Sequence, residues 1–199
     1  CGQTIYDDLH IGNAKAYTAW DTLTRYLRWK GYSVRHVQNI TDVGHLTDDG
    51  DQGEDKVEKR AKELGLEPME LVEYQITRYF EDTKALNVKR QDIVPRATGH
   101  INEMIEYVQR ILDNGYAYEV DGNIYFDVES FTEDYPYGEM AKKDLEQLKE
   151  EAKSRVEPDE NKKNQFDFAL WLNSKGSGHL MEWTAKFEIG DELVRSVGY

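Results

Sequence analysis

The chain has 199 residues, 32% charged and 39% apolar, with a net charge of −14. That suits one large or two small globular domains and argues against a general nucleic-acid binder, which carries a basic stripe. No apolar run reaches the ~20 residues that cross a bilayer, and no signal peptide is visible. The single cysteine, Cys1, leaves no internal disulfide and fits a reducing, cytoplasmic setting.

A polar loop, Cys1 to Gly12, opens the chain. The spacing of Ala16, Tyr17, Ala19, Trp20, Leu23, Tyr26 and Leu27 predicts a helix over about Asn13 to Lys30, with those residues as its apolar stripe. Asn13 is the expected N-cap and Gly31 the stop. A strand is expected over Ser33 to Ile40, within a βαβ unit whose first strand would precede Cys1. The acidic stretch around Asp48 to Asp55 reads as a solvated loop.

Helices are expected over Glu54–Leu64, Pro68–Leu86 and His100–Asn114, with Pro68 in a first turn and Gly65 and Gly115 as stops. The period then falls to 2. Tyr116–Val120 and Asn123–Val128 flank Asp121-Gly122, a strong hairpin signal. A charged helix over Lys142–Ser154, a polar linker at Asn161–Asn164 and a buried strand over Phe166–Leu172 follow. Beyond Ser174 the pattern is weak.

Chemistry is first suggested by His10-Ile11-Gly12-Asn13, where a loop enters a helix. Helix N-termini present free N–H groups and partial positive charge, which suit phosphate. His10 can donate to a phosphate oxygen, Gly12 lets backbone come close, and Asn13 can cap or bind. On these four residues alone, an ordinary helix cap with a nearby histidine is the better reading, since short motifs match often by chance. A lone cysteine such as Cys1 is by itself more often a packed thiol than a metal ligand. His36, His45, His100 and His179 have no metal-ligand spacing.

The wider context adds to this. Cys1-Gly2-Gln3-Thr4-Ile5-Tyr6-Asp7, running into His10-Ile11-Gly12-Asn13, resembles the signature region of cysteinyl-tRNA synthetases. There a Cys-Gly-Pro-Thr-Val-Tyr-Asp stretch leads into His-Ile-Gly-His or His-Ile-Gly-Asn. Asn39-Ile40-Thr41-Asp42, Arg96-Ala97-Thr98-Gly99-His100-Ile101, and Tyr137-Gly138 followed by Asp167-Phe168-Ala169-Leu170-Trp171 are similar to further blocks of that family, in the same order. Gln3 departs from the family's proline, which is expected to loosen the loop before Thr4.

The resemblance implies an α/β fold. It would be a partial Rossmann-like class I synthetase nucleotide-binding fold with an α+β connective-peptide insertion. The implied domains are 1–95 for the first half of the catalytic fold, 96–164 for the insertion with its hairpin, and 165–199 for the return. Both ends read as cuts. The implied activity is ATP-dependent activation of L-cysteine to the adenylate and its transfer to tRNA(Cys), in a cytoplasmic monomer.

His10 and Asn13 would be catalytic, with His10, Gly12, Asn13 and Thr4 binding ATP and Gly2, Thr41 and Tyr6 lining the cysteine site. Cys1 would be one zinc ligand, and Mg2+ would accompany ATP. In the family a second cysteine, a histidine and a glutamate complete the zinc site, and none matches here, so these residues alone are expected not to hold zinc tightly. A thiolate binds zinc far better than a hydroxyl, which would set cysteine apart from serine. The nearest rival is the cysteine ligase of mycothiol synthesis, whose signature fits Thr4-Ile5-Tyr6 with His10-Ile11-Gly12-Asn13 less well. A non-catalytic module that binds nucleotide or tRNA is the other alternative.

Overall fold

The computed structural model describes residues 2–44, 55–142, 146–147, 149–150, 161–174 and 181–198. Cys1, His45, His179, the acidic stretch over 45–54 and most of the helix expected over Lys142–Ser154 lie outside them. The chain divides between His100 and Ile101 into two compact units, each described in turn.

The first unit is built on parallel pairing. β1 (Gln3–Thr4) runs beside β2 (Ile40–Thr41), with Gln3 opposite Ile40 and Thr4 opposite Thr41. Bridges from Val37 to Ile93 and from Ile40 to Arg96 add a third parallel segment. Its backbone hydrogen bonds alternate across the pair: Gln38 N–H donates to Ile93 C=O, Ile40 N–H to Pro95 C=O, and Ala97 N–H back to Ile40 C=O. The opening strand therefore lies inside the presumed loop rather than before Cys1. Two residues are too short to produce a periodic signal.

α1 (Ile11–Trp29) is the crossover between β1 and β2. It starts two residues before the sequence suggested because His10, not Asn13, is its N-cap. Its buried residues are Tyr17, Asp21 and Thr24, while Trp20, Leu23 and Tyr26 stay exposed. Only Tyr17 of the expected apolar stripe is buried. Hydrogen bonding explains the polar members of the buried face. Asp21 takes Arg25 Nε at 2.7 Å and Lys89 N–H at 3.3 Å, and Thr24 Oγ1 donates to Trp20 C=O at 2.8 Å.

α2 (Lys56–Leu64) is capped by Asp55, whose Oδ1 accepts from the Val57 and Glu58 amides at 2.8 and 3.2 Å. It ends on Gly65 in the left-handed region, φ 68°. α3 (Pro68–Ala85) carries proline in its first turn, as the sequence indicates. Ile5, Ile40, Val57, Ala61, Leu71, Val72 and Ile76 are buried in this unit.

In the second unit α4 (Ile101–Asp113) precedes an antiparallel sheet. Its order is β3 (Ala117–Val120), β4 (Asn123–Phe126) and β5 (Phe168–Trp171). Asp121 and Gly122 both have positive φ, 55° and 82°, which the two-residue hairpin requires. α5 (Val128–Asp134) begins where the sequence suggested continuing strand, because Asp127 caps it through the Ser130 amide at 3.0 Å.

A second hairpin, β6 (Trp183–Ile189) and β7 (Glu192–Gly198), lies in the region where the sequence pattern is weak. Ile101, Val108, Ile124, Trp171, Ala185 and Phe187 form the core that joins α4 to both sheets. Asp167 accepts from Tyr118 OH at 2.8 Å and from the Val128 and Asn164 amides at 3.1 Å, tying β3, α5 and the approach to β5 together. No described helix is long and apolar enough to cross a membrane.

Candidate functional site

In an open parallel sheet, ligands bind beyond the carboxyl ends of the strands. In the first unit that edge carries Thr4 and the turn through Tyr6, Thr41 and Asp42, and Ala97-Thr98, with α1 starting above it. Most residues singled out from the sequence fall here.

His10 has extended backbone, φ −97° and ψ 165°, and its side chain turns back onto the helix. Nδ1 accepts the Gly12 N–H at 3.0 Å. An imidazole nitrogen that accepts carries no proton, so neutral His10 holds its proton on Nε2. The ring is exposed, and its remaining polar atom is a donor beside a helix N-terminus. Gly12 serves this arrangement directly: a Cβ there would stand 2.7 Å from His10 Cε1. A side chain at position 12 would push the exposed ring away from its cap, so glycine suits the capped geometry whatever approaches from outside.

Asn13 lies in the first turn of α1, and its Nδ2 donates to Gln3 Oε1 at 3.0 Å. Tyr17 OH donates to the same oxygen at 3.0 Å. Burial raises the Tyr17 pKa against a smaller opposing effect from Asn13, so the phenol stays protonated at neutral pH. Tyr17 meets Tyr79 edge-on at 5.8 Å, and Tyr79 OH accepts from Gln38 and Gln91 at 3.0 Å each. Burial pushes the Tyr79 phenol up to about 12.

Gly2 fits so closely beside β2 that a Cβ would lie 1.5 Å from Asn39 O. That contact gives Gly2 a packing reason independent of any ligand. Asn39 Nδ2 in turn donates to Thr41 Oγ1 at 3.1 Å. Lys56 Nζ sits 5.8 Å from the centre of the Tyr6 ring.

Two motif blocks far apart in sequence meet at Asp42. Its carboxylate is fully buried, accepting the Thr98 amide on Oδ1 at 3.0 Å and Thr98 Oγ1 on Oδ2 at 2.6 Å. Arg96 pairs with Glu73 on α3 through both terminal guanidinium nitrogens, Nη1 and Nη2. The Arg96 guanidinium holds the Glu73 carboxyl below its usual range. The second block and the third are therefore one structural joint. In the sequence Asp42 and Thr98 have no evident role, and Gln3 looks like a loosening substitution. Only the side-chain partners reveal the joint and the buried carboxamide.

The catalytic-domain model of the class I (C) tRNA synthetases matches residues 1–191. The chain belongs to this family. Among curated relatives, the synthetase domain is 50% identical over 190 residues to a cysteine–tRNA ligase of Thermus thermophilus, covering 96% of this chain and 38% of that protein. It is 46% identical over 190 residues to a cysteine–tRNA ligase of Porphyromonas gingivalis, again 96% of this chain and 38% of the relative. A Chlorobaculum tepidum cysteine–tRNA ligase is 46% identical over 195 residues, covering 96% of this chain and 39% of the relative. The synthetase domain thus spans about two fifths of the length of these proteins.

The structure places His10, Gly12 and Asn13 at one helix start, and Thr4 opposite Thr41 on adjacent strands. Among the described residues no three His, Cys, Asp or Glu side chains form a group able to hold a metal. Cys1 lies outside those residues.

Proposed function

We propose that this chain supplies part of the ATP and cysteine sites of a cysteine–tRNA ligase. The carrying observation is the His10 cap. With Nδ1 engaged by Gly12, an exposed Nε2–H donor stands at the N-terminus of α1. Free backbone N–H groups and a fixed donor suit developing negative charge on a phosphate. Thr41, the close-packed Gly2 and Tyr6 would line the amino-acid side, and Thr4 would face the nucleotide.

The reaction would run in two steps. The cysteine carboxylate attacks the α-phosphate of ATP, forming the P–O bond of the adenylate while pyrophosphate leaves. The terminal ribose hydroxyl of tRNA(Cys) then attacks the activated carbonyl and AMP leaves. His10 and Asn13 act by holding phosphate oxygens, and the chain's work is positioning and charge stabilisation. Mg2+ would arrive with ATP. The residues alone would be inactive, and a cytoplasmic, monomeric enzyme is the setting we favour.

Zinc is proposed for the complete ligase, with Cys1 as one ligand. The described residues do not make up a zinc site, so no step is routed through the metal. The test is charging by the full-length gene product, analysed for bound zinc in the same preparation. Cysteine esterified to tRNA(Cys) is expected, with about one zinc per chain. Ligation to an amino sugar in place of tRNA would instead place the enzyme with the mycothiol-type ligases.

A further inference from the structure

Gln3 stands where the resembled signature carries proline, and the fold gives it a specific task. It is 6% exposed, a carboxamide enclosed between β1 and the first turns of α1. Its Nε2 donates to Thr4 C=O at 3.3 Å. A carbonyl can only accept, so the amino end of the Gln3 amide must face Thr4 and the oxygen must face α1. There Oε1 receives two donors, Asn13 Nδ2 and Tyr17 OH, each at 3.0 Å. The same logic then orients Asn13, because a side chain meeting an acceptor oxygen must present its amino group.

We propose that Gln3 is a positioning residue for Asn13. Its Oε1 holds one Asn13 Nδ2–H and so fixes the plane of that carboxamide at the start of α1. The second Nδ2–H is thereby aimed, ready for a phosphate oxygen of ATP. Tyr17 steadies Gln3 from the same side, and Tyr17 is itself packed against Tyr79. Proline offers no acceptor and cannot do this. The Gln3–Asn13 pair is a matched set within this chain.

The inference rests on the reading of Asn13 as a phosphate-binding group, and the experiment separates the two. In the full-length ligase, cysteine-dependent ATP–pyrophosphate exchange is measured for Gln3→Met, Asn13→Ala and the double variant. Gln3→Met keeps the length of the side chain and removes the acceptor. It should raise KM for ATP roughly fivefold, the worth of one net hydrogen bond. Its kcat and its KM for cysteine should stay within about twofold, since a positioning loss in the ground state acts on ATP binding.

In the Asn13→Ala background the Gln3 change should add almost nothing, because the group it orients is gone. A purely structural Gln3 would act equally in both backgrounds, and that result would overturn the proposal. So would an unchanged KM for ATP in Gln3→Met. If Asn13→Ala itself leaves KM for ATP unaltered, the phosphate role of Asn13 fails and the proposal falls with it. Gln3→Pro, which restores the signature's residue, carries the same comparison should Gln3→Met fold poorly.

Discussion

Asp42→Ala is expected to lower the stability of the first unit by about 3 kcal/mol. The carboxylate is completely buried and takes both polar hydrogens of Thr98, at 3.0 and 2.6 Å. Hydrogen bonds to a charged acceptor are worth about 1.5–3 kcal/mol each, and a donor stranded in a dry interior carries its own desolvation cost. The joint also bears on pairing, because Thr98 follows the segment bridged to Ile40. Against a typical total of about 5–15 kcal/mol, the loss should be plain as a lower urea midpoint.

Asp42→Asn is a useful companion. Its oxygen can still accept the Thr98 amide, and its amino group can donate to Thr98 Oγ1. We expect it to recover most of the loss, with a deficit of about 1 kcal/mol. An Asp42→Ala midpoint equal to that of the parent chain would mean the two blocks are held together by something else.

His10→Asn separates the two roles assigned to one side chain. Asparagine is among the best N-caps, so the bond from Gly12 N–H can be replaced and stability should change by less than about 0.5 kcal/mol. The donor that Nε2 presents is lost. Removing one donor aimed at developing charge typically costs about 10²–10³ in rate. We therefore expect adenylate formation by the full-length ligase to fall by about that factor, with an unaltered unfolding midpoint. His10→Ala should lose the rate and about 1 kcal/mol of stability together. A His10→Asn enzyme of ordinary rate would show that the histidine is a cap alone.

Much of the fold could be read before any coordinates. Gly65, Pro68 and Asp121-Gly122 each force a backbone conformation, and each marks the boundary expected of it. The failures have a common cause. β1 is two residues long and gains its strand character from Ile40 and Thr41, so no local period announces it. α1 buries Asp21 and Thr24 through hydrogen bonds made elsewhere in the chain and along the helix, which a hydrophobic stripe cannot foresee.

The β6–β7 hairpin falls where the sequence pattern is weak, yet its signals are local. Ala185 and Phe187 alternate with Lys186 and Glu188, and Gly190-Asp191 makes a two-residue turn. In the site, His10 and Asn13 were evident as residue types. Their division of labour was not, because the cap and the Gln3 contact are matters of side-chain direction.

The decisive measurement is cysteine-dependent ATP–pyrophosphate exchange. With the full-length gene product, label should pass from pyrophosphate into ATP when cysteine is supplied, and serine should support little or none. The 199 residues alone should show no exchange. A full-length protein that folds, binds ATP and gives no cysteine-dependent exchange would exclude a cysteine-activating role.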